Sequence, residues 1–215
     1  MVGRLLSLLI LVAAGFAVAD ESVPICYGYG CIAQAQIRFS DAQLDEVGRQ
    51  LALAVDAENE RKLLGAAIGR LYGWAGEQSD IRNDRGGNYA DGHAPGRMDC
   101  IDHSTSTTRL LRLLEARNYL RWHRVLEPAV RNWALVFPAH WSAVIEEKRG
   151  GAVSQFVVDS WFVDNGQPAV ILPLALAMAA NSDRAKASVP PPAGKGTTMV
   201  TGLVGQAWAT AACQG

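Results

Sequence analysis

The chain has 215 residues, of which 19% are charged, and its formal net charge at pH 7 is −1. So balanced a charge argues against nucleic acid or an anionic membrane surface as a partner. The length suits one domain with a sizeable hydrophobic core.

Residues 1–19 have the three parts of a secretory signal peptide. Arg4 supplies the positive start, residues 5–16 form an unbroken apolar run, and Ala17-Val18-Ala19 supplies small residues for cleavage. The run is shorter than the roughly 20 residues of a membrane-spanning helix, which favours cleavage over an uncleaved anchor. We therefore expect an exported protein, periplasmic or secreted, that begins at Asp20 and has no membrane span after cleavage.

An exported chain meets an oxidising compartment, where paired cysteines form disulfides. The four cysteines are Cys26, Cys31, Cys100 and Cys213. Cys26 and Cys31 enclose a short glycine-containing loop, and we predict a disulfide between them that leaves Cys100 as a thiol. Spacing alone does not fix the pairing.

Helical patterns fill the next part of the chain. Residues 33–39 alternate weakly and are predicted to be extended. Ser40 is placed as a helix N-cap with Gln43 in capping-box position, before apolar residues at helical spacing up to Val55. A second helix is predicted over residues 58–74, so the two form a helical hairpin with an apolar core face.

A long irregular stretch precedes the next helix. Residues 79–99 are rich in Gly, Asn, Asp and Pro, and a loop of this length is often functional, although a solvated connection has the same composition. The next helix is predicted from Cys100 to Asn118. Its run of hydroxyl residues at 104–108 allows close packing, which indicates a helix buried inside the domain.

The periodicity then changes to two. Strands are predicted at residues 133–137, 140–147 and 154–162, with a hairpin turn at 148–151. A short strand at residues 169–172 and a helical run from Pro173 follow. Helices before an antiparallel meander predict an α+β domain over residues 20–183, and the Pro- and Gly-containing tail of residues 184–215 is expected to be poorly ordered.

Cys100, His140 and Asp159 together carry the chemistry. Cysteine attacks as the thiolate, and the N-terminus of a helix favours that form because its unpaired N–H groups are partly positive. A histidine must take the proton and a third group must orient the histidine. A two-residue hairpin loop would place His140 directly opposite Asp159, whereas a four-residue loop would place the two diagonally on the same face.

Other interpretations of these residues remain open. A buried cysteine is often a small hydrophobic residue, and a histidine beside an aspartate is often a satisfied polar pair. Zinc ligation is a further alternative, because Cys100 and His103 have ligand-like spacing and His93 lies in the preceding loop.

Three segments carry a resemblance to a known family: GRMDCIDHSTSTTRLLRLLEA, HWSAVIEE and FVVDSWF. They resemble the core of the transglutaminase-like branch of the papain-like cysteine enzymes, over about residues 65–175. That branch has a cysteine at a helix N-terminus, then a histidine and an aspartate on successive strands. The chain departs from the pattern just before the cysteine, at Met98-Asp99, so the oxyanion-hole donor is not evident, and Gln78 and Asn83 are candidates by chemistry only.

The resemblance implies acyl transfer through a thioester, by hydrolysis, amide transfer or deamidation of a peptide or protein substrate, with no cofactor and no metal. Cys100 would be the nucleophile, His140 the general base and acid, and Asp159 the residue that orients the imidazole. Trp141, Trp161 and His103 are expected near the binding cleft. The alternative is a non-catalytic binding or assembly module that keeps this fold, since the family includes inactive members.

Overall fold

The computed structural model describes residues 20–87, 94–133, 137–149, 151, 154–178, 201–202 and 206–207. These residues form a mixed architecture of helices and antiparallel sheets, which is an α+β fold. The predicted signal peptide of residues 1–19 lies outside the described residues. Among the described residues, no helix combines the length and apolar character needed to cross a membrane.

The chain begins with a hairpin of two strands. β1 (Glu21–Tyr27) pairs antiparallel with β2 (Ala33–Phe39), and β2 was predicted whereas β1 was not. The disulfide between Cys26 and Cys31 closes the connecting loop, with a Cα–Cα distance of 4.7 Å. The hairpin contributes the fully buried Ile25, Ile37 and Phe39 to the core.

Two helices follow the hairpin. α1 (Asp41–Leu51) begins at the predicted N-cap Ser40, and both hydrogen bonds of the capping box with Gln43 are present. α1 ends at Leu51, four residues before Val55, the last position of the predicted spacing. Val55 lies outside the helix and is 77% exposed. α2 (Ala57–Gln78) starts at the N-cap Asp56 and is longer than predicted at its C-terminal end.

Close packing against α2 depends on glycine. At Gly65 and Gly69 an added Cβ would lie 2.7 Å from the carbonyl oxygen of Ala169 and 2.5 Å from that of Gln167. The amide of Ala169 also donates to the carbonyl of Gly65 at 3.0 Å. The missing side chains therefore allow the segment before the last strand of the main sheet to lie directly on the helix.

A 3₁₀ helix (Asp80–Asn83) lies in the stretch of residues 79–99, and residues 88–93 of that stretch lie outside the described residues. α3 (Cys100–Ala116) follows, and it contacts β1 on one side and the main sheet on the other. Four of the five residues of its hydroxyl run are buried, and Thr105 is partly exposed. Thr108 donates to the carbonyl of Ser104 one turn back at 2.7 Å. The apolar residues Leu110, Leu111 and Leu114 complete its buried face.

The main sheet contains β3 (His123–Val125), β4 (Ala129–Trp133), β5 (Phe137–Glu147), β6 (Gln155–Asp159) and β7 (Val170–Pro173). The order is β3-β5-β6-β7, and β4 also pairs with β5. The predicted strand 133–137 overlaps only the ends of β4 and β5, and residues 134–136 lie outside the described residues.

The chain beyond β7 is described only in part. Residues 174–178 are helical, as the pattern after Pro173 predicts. Within the predicted tail, β8 (Thr201–Gly202) pairs with β9 (Gln206–Ala207), and the rest of residues 184–215 lies outside the described residues.

Of the two arrangements that the sequence leaves open for His140 and Asp159, the structure has the diagonal one. Ala143 is the Cα partner of Val158, and the same register sets Ser142 opposite Asp159. His140 lies two residues further along β5, so it faces Asp159 diagonally on the same side of the sheet. This is the arrangement expected for the longer loop, because steps of two preserve the face of a strand.

Candidate active site

Cys100 is the first residue of α3 and is fully buried. Its sulfur contacts the backbone of β5 on both sides of His140. The carbonyl oxygen of Ala139 lies 3.9 Å from Sγ, and the amide of Trp141 donates to Sγ at 3.4 Å. An N–H directed at sulfur favours the thiolate, as does the start of a helix, so two features of the backbone act in the same direction.

His140 links this position to Asp159. Its Nε2 is 2.6 Å from Oδ2 of Asp159, and the two side chains are 3% and 4% exposed. Among the described residues, Nδ1 of His140 is buried without a hydrogen-bond partner. Since Nε2 donates to the carboxylate, the neutral ring carries its lone pair on Nδ1, which is the nitrogen able to accept a proton.

Two further donors hold Asp159 in place. Ser142 donates its hydroxyl to Oδ2 at 2.8 Å, and the amide of Trp161 donates to Oδ1 at 3.1 Å. Burial raises the pKa of Asp159. The charge and hydrogen bond of His140, together with these two donors, lower the pKa by more, so the net shift is downward. Asp159 is therefore the ionised acceptor that fixes the imidazole. Sequence reasoning missed Ser142, although its place two residues after His140 on the same face is a usable signal.

Cys100 is disulfide-bonded in the structure. The other two described cysteines, Cys26 and Cys31, bond to each other, so the partner of Cys100 lies outside the described residues. The expectation that Cys100 is left as a thiol does not hold for this state of the protein. Nucleophilic chemistry at Cys100 therefore requires that its disulfide first be reduced.

His103 belongs to a separate buried network behind Cys100. Its Nε2 is 3.0 Å from Oδ2 of Asp84, and its Nδ1 is 2.8 Å from Oγ of Ser160. Ser160 also bonds Thr107 at 2.9 Å, and Thr107 bonds the hydroxyl of Tyr72 at 3.0 Å. Since both ring nitrogens are engaged, His103 cannot share a metal ion with Cys100. His93, the other residue of the zinc alternative, lies outside the described residues.

Burial lowers the pKa of His103, but the charge and hydrogen bond of Asp84 raise it by more, so the net shift is upward. The imidazole bonds both neighbours and joins α3 to the segment that carries Asp159 and Ser160. A cavity of about 10 Å³ adjoins the network and is lined by Tyr72, His103, Ser160 and residues 163–167. Its size is about that of one water molecule.

The two predicted aromatic residues occupy different positions. Trp161 is 4% exposed, and its ring packs edge-on against the ring of His140 with a centroid distance of 5.7 Å. Phe162, which the sequence did not single out, lies 5.4 Å from the same imidazole. Trp141 is partly exposed and contributes its backbone amide to Cys100.

The candidate oxyanion donors Gln78 and Asn83 are engaged elsewhere. Gln78 donates to the carbonyl of Arg38 at 2.9 Å, and Asn83 donates to the carbonyl of Pro95 at 3.2 Å. Met98 and Asp99, the departure from the family pattern, are both buried. Asp99 is the N-cap of α3, and it forms a reciprocal capping box with Asp102.

Comparison of the chain with protein-family models, with curated proteins and with solved structures found no match. The resemblance to transglutaminase-like enzymes therefore rests on the residues and motifs of the chain itself.

Proposed function

We propose that this chain is an exported cysteine hydrolase or acyl-transfer enzyme of the papain-like, transglutaminase-like type, acting on peptide or amide bonds. One observation carries the proposal. The sulfur of Cys100 contacts the backbone of the residues on either side of His140, whose Nε2 bonds Asp159 and whose Nδ1 has no partner within the described residues. A base with a free lone pair beside a cysteine that begins a helix is the arrangement that cysteine nucleophiles need.

The proposed reaction begins from the reduced protein. A thiol reductant opens the Cys100 disulfide and is itself oxidised. Nδ1 of His140 then takes the thiol proton, and the thiolate forms a C–S bond with the carbonyl carbon of the substrate. The C–N bond breaks as the imidazolium returns the proton to the leaving amine. Water or an amine then cleaves the thioester and releases the thiol of Cys100.

The second candidate is a non-catalytic binding or assembly module of the same fold. The observation that favours it is the state of the site: Cys100 is disulfide-bonded and fully buried, and His140 is 3% exposed. Trp161 and Phe162 both pack against the ring of His140, and its Nδ1 is buried, so a substrate reaches Nδ1 only when covering groups move aside. The module predicts that reduction of Cys100 gives a thiol of ordinary reactivity.

Alkylation by iodoacetamide separates the two candidates without a known substrate. In the Cys213→Ser variant, which needs no reductant because Cys26 and Cys31 pair with each other, Cys100 of the enzyme should react at pH 7 faster than a free thiol. Adding His140→Ala should slow that reaction roughly 10- to 100-fold, since an unassisted thiol is only a few per cent thiolate. Asp159→Asn should slow it less, because an amide still orients the ring without stabilising its charged form.

His123→Ala is the matched control. His123 is also buried on a strand of the main sheet and bonded to a carboxylate, because its Nδ1 is 2.8 Å from Oε1 of Glu60. The substitution should lower stability and leave the alkylation rate of Cys100 unchanged. If His140→Ala behaves like His123→Ala, the enzyme proposal fails and the module is favoured.

A further inference from the structure

Two carboxylates flank Cys100 and face the disulfide-closed loop between β1 and β2. Asp102 is fully buried and accepts the amide of Cys31 at 2.7 Å and that of Tyr29 at 2.8 Å. Asp99 is 6% exposed and accepts the amide of Gly30 at 2.9 Å. Three successive N–H groups of one loop therefore bind the first turn of α3.

The backbone of this loop is unusual in a way that makes the contact possible. Tyr29 and Cys31 have φ values of 70° and 58°, and Gly28 and Gly30 have φ values of 86° and 64°. Left-handed conformations are uncommon for residues with a side chain. They curl the loop so that consecutive amides point the same way, and the disulfide bond between Cys26 and Cys31 closes that curl.

The carboxylates would otherwise oppose the chemistry at Cys100. Two negative groups within two residues of a thiol disfavour its thiolate form. Burial and the charge of Asp99 raise the pKa of Asp102 to about 6, although the hydrogen bonds from the backbone lower it. The three loop amides, together with the two backbone amides of the capping box, offset part of the negative charge of this pair.

We propose that Asp99 and Asp102 are positioning residues for Cys100, and that the Cys26–Cys31 disulfide sets the reactivity of Cys100 by holding the loop amides on these two carboxylates. The inference deepens the proposed function and rests on it. Opening the disulfide lets the loop relax, removes the three loop donors from the two carboxylates beside Cys100, and raises the pKa of the Cys100 thiol. The oxidised pair is therefore the active state of this loop.

Three other titratable side chains near the pair contact groups other than its carboxylates. Arg109, on α3, donates to Cys26 Sγ at 3.3 Å, and Arg97 lies over the ring of Tyr29 at 4.8 Å. His103 lies one residue beyond Asp102, whose charge helps to raise its pKa. These side chains are directed at the sulfur, at the aromatic ring and at Asp84, whereas the oxygens of the pair accept backbone amides.

The same groups do not suit a metal ion. The two sulfurs and an Asp102 oxygen lie within 4.8 Å of one another. Both sulfurs are joined in a bond, however, and a guanidinium donates to one of them. The oxygens of Asp102 already accept three amides, those of Tyr29, Cys31 and Asp99. The carboxylate oxygens of Asp102 are therefore occupied by N–H donors and are not available to bind a cation.

The test uses the full chain with Cys213→Ser. This substitution removes the other cysteine that could pair with Cys100, so Cys100 stays a thiol without added reductant. Alkylation by iodoacetamide is followed from pH 5 to pH 9. Cys26→Ser combined with Cys31→Ser should slow alkylation about tenfold at pH 7, which corresponds to a rise of about one unit in the pKa of the thiol. Asp102→Asn should remove an inflection near pH 6 that the parent shows.

Asp56→Asn is the matched control. Asp56 also lies at a helix N-terminus, where it accepts the amide of Asn59 at 2.7 Å, but its helix is α2 and not the helix that begins at Cys100. The substitution should leave the pH profile unchanged. Amide hydrogen exchange gives an independent readout, because Gly30 and residue 31 should exchange faster in the double serine variant. A reactive Cys100 whose rate and profile ignore both substitutions overturns this inference alone. An inert Cys100 overturns the proposed function as well.

Discussion

At the scale of single residues, the candidate site depends on which atom of each side chain is engaged. Asp159 uses both carboxylate oxygens for donors that belong to the protein, and His140 keeps one nitrogen for Asp159 and the other unpartnered within the described chain. Ser142 and His140 share the same oxygen of Asp159. The hydroxyl therefore holds the carboxylate ionised without competing for Nδ1, the nitrogen that would take the proton.

The raised pKa of His103 leads to a prediction about stability. Because the folded pKa exceeds its ordinary value of 6.5, the ion pair with Asp84 contributes fully below that pH, and its contribution is lost as pH rises through the folded pKa. We expect the free energy of unfolding of the wild type to fall as the pH rises above 6.5. His103→Gln should remove this fall, although it lowers stability at every pH.

Urea denaturation at closely spaced pH values from 5.5 to 9 measures both proteins. The comparison uses the slope of stability against pH, since the slope isolates the titrating group from the cost of altering a buried site. A variant that loses stability with pH as steeply as the wild type would show that His103 is not charged in the folded state.

At the scale of elements, α2 owes its position to glycines that permit close approach of the backbone. At Gly69 a Cβ would lie 2.5 Å from the carbonyl oxygen of Gln167, and the obstructing atom is backbone. Gly69→Ala should therefore lower the free energy of unfolding by about 1–3 kcal/mol through overpacking. Gly73, one turn on, is the control: a Cβ there has its nearest neighbour at 3.7 Å.

Gly73→Ala should raise the free energy of unfolding by up to about 1 kcal/mol, because alanine is the better helix former and the space is open. Urea denaturation of both variants gives the comparison. Equal effects of the two substitutions would contradict the close contact between α2 and the segment before β7.

The elements also show what sequence patterns can specify. The capping box at Ser40 and the start of α3 at Cys100 were predicted to the residue, because each depends on neighbours in the sequence. β1 was missed because Pro24 interrupts its pattern, and proline in a sheet is confined mainly to edge strands such as this one. β3 has only three residues and leaves no periodic signal.

The sequence predicted that His140 and Asp159 share a face of the sheet, but it left the register of β5 against β6 open between two alternatives. Alternation fixes which face each side chain occupies, but a shift of two residues preserves the faces, so the choice depends on the geometry of the hairpin loop. The contacts of Asp102 with the first loop were beyond prediction for another reason. These hydrogen bonds join residues that are separated by 73 and 71 positions in the chain, and no local sequence pattern predicts contacts at such a distance.

At the scale of the whole molecule, covalent links and buried polar networks converge on the start of α3. The Cys26–Cys31 loop binds its first turn, the backbone of β5 contacts Cys100, and His103 joins it to Asp84 and Ser160. Cys100 is therefore held by contacts from three directions. In the proposed enzyme, the redox state of Cys100 decides whether its sulfur can attack a substrate.

The last prediction concerns this redox state. The chain has four cysteines, Cys26 and Cys31 are joined, and Cys100 is disulfide-bonded, so Cys213, which lies outside the described residues, is the remaining candidate partner within one chain. We expect Cys100 to resist iodoacetamide in the oxidised wild type and to react after treatment with dithiothreitol. In Cys213→Ser it should react without reductant, because no partner remains in the chain. Mass spectrometry of non-reduced peptides checks the pairing directly. Resistance of Cys100 in Cys213→Ser, relieved only by dithiothreitol, would instead place its partner thiol on another molecule.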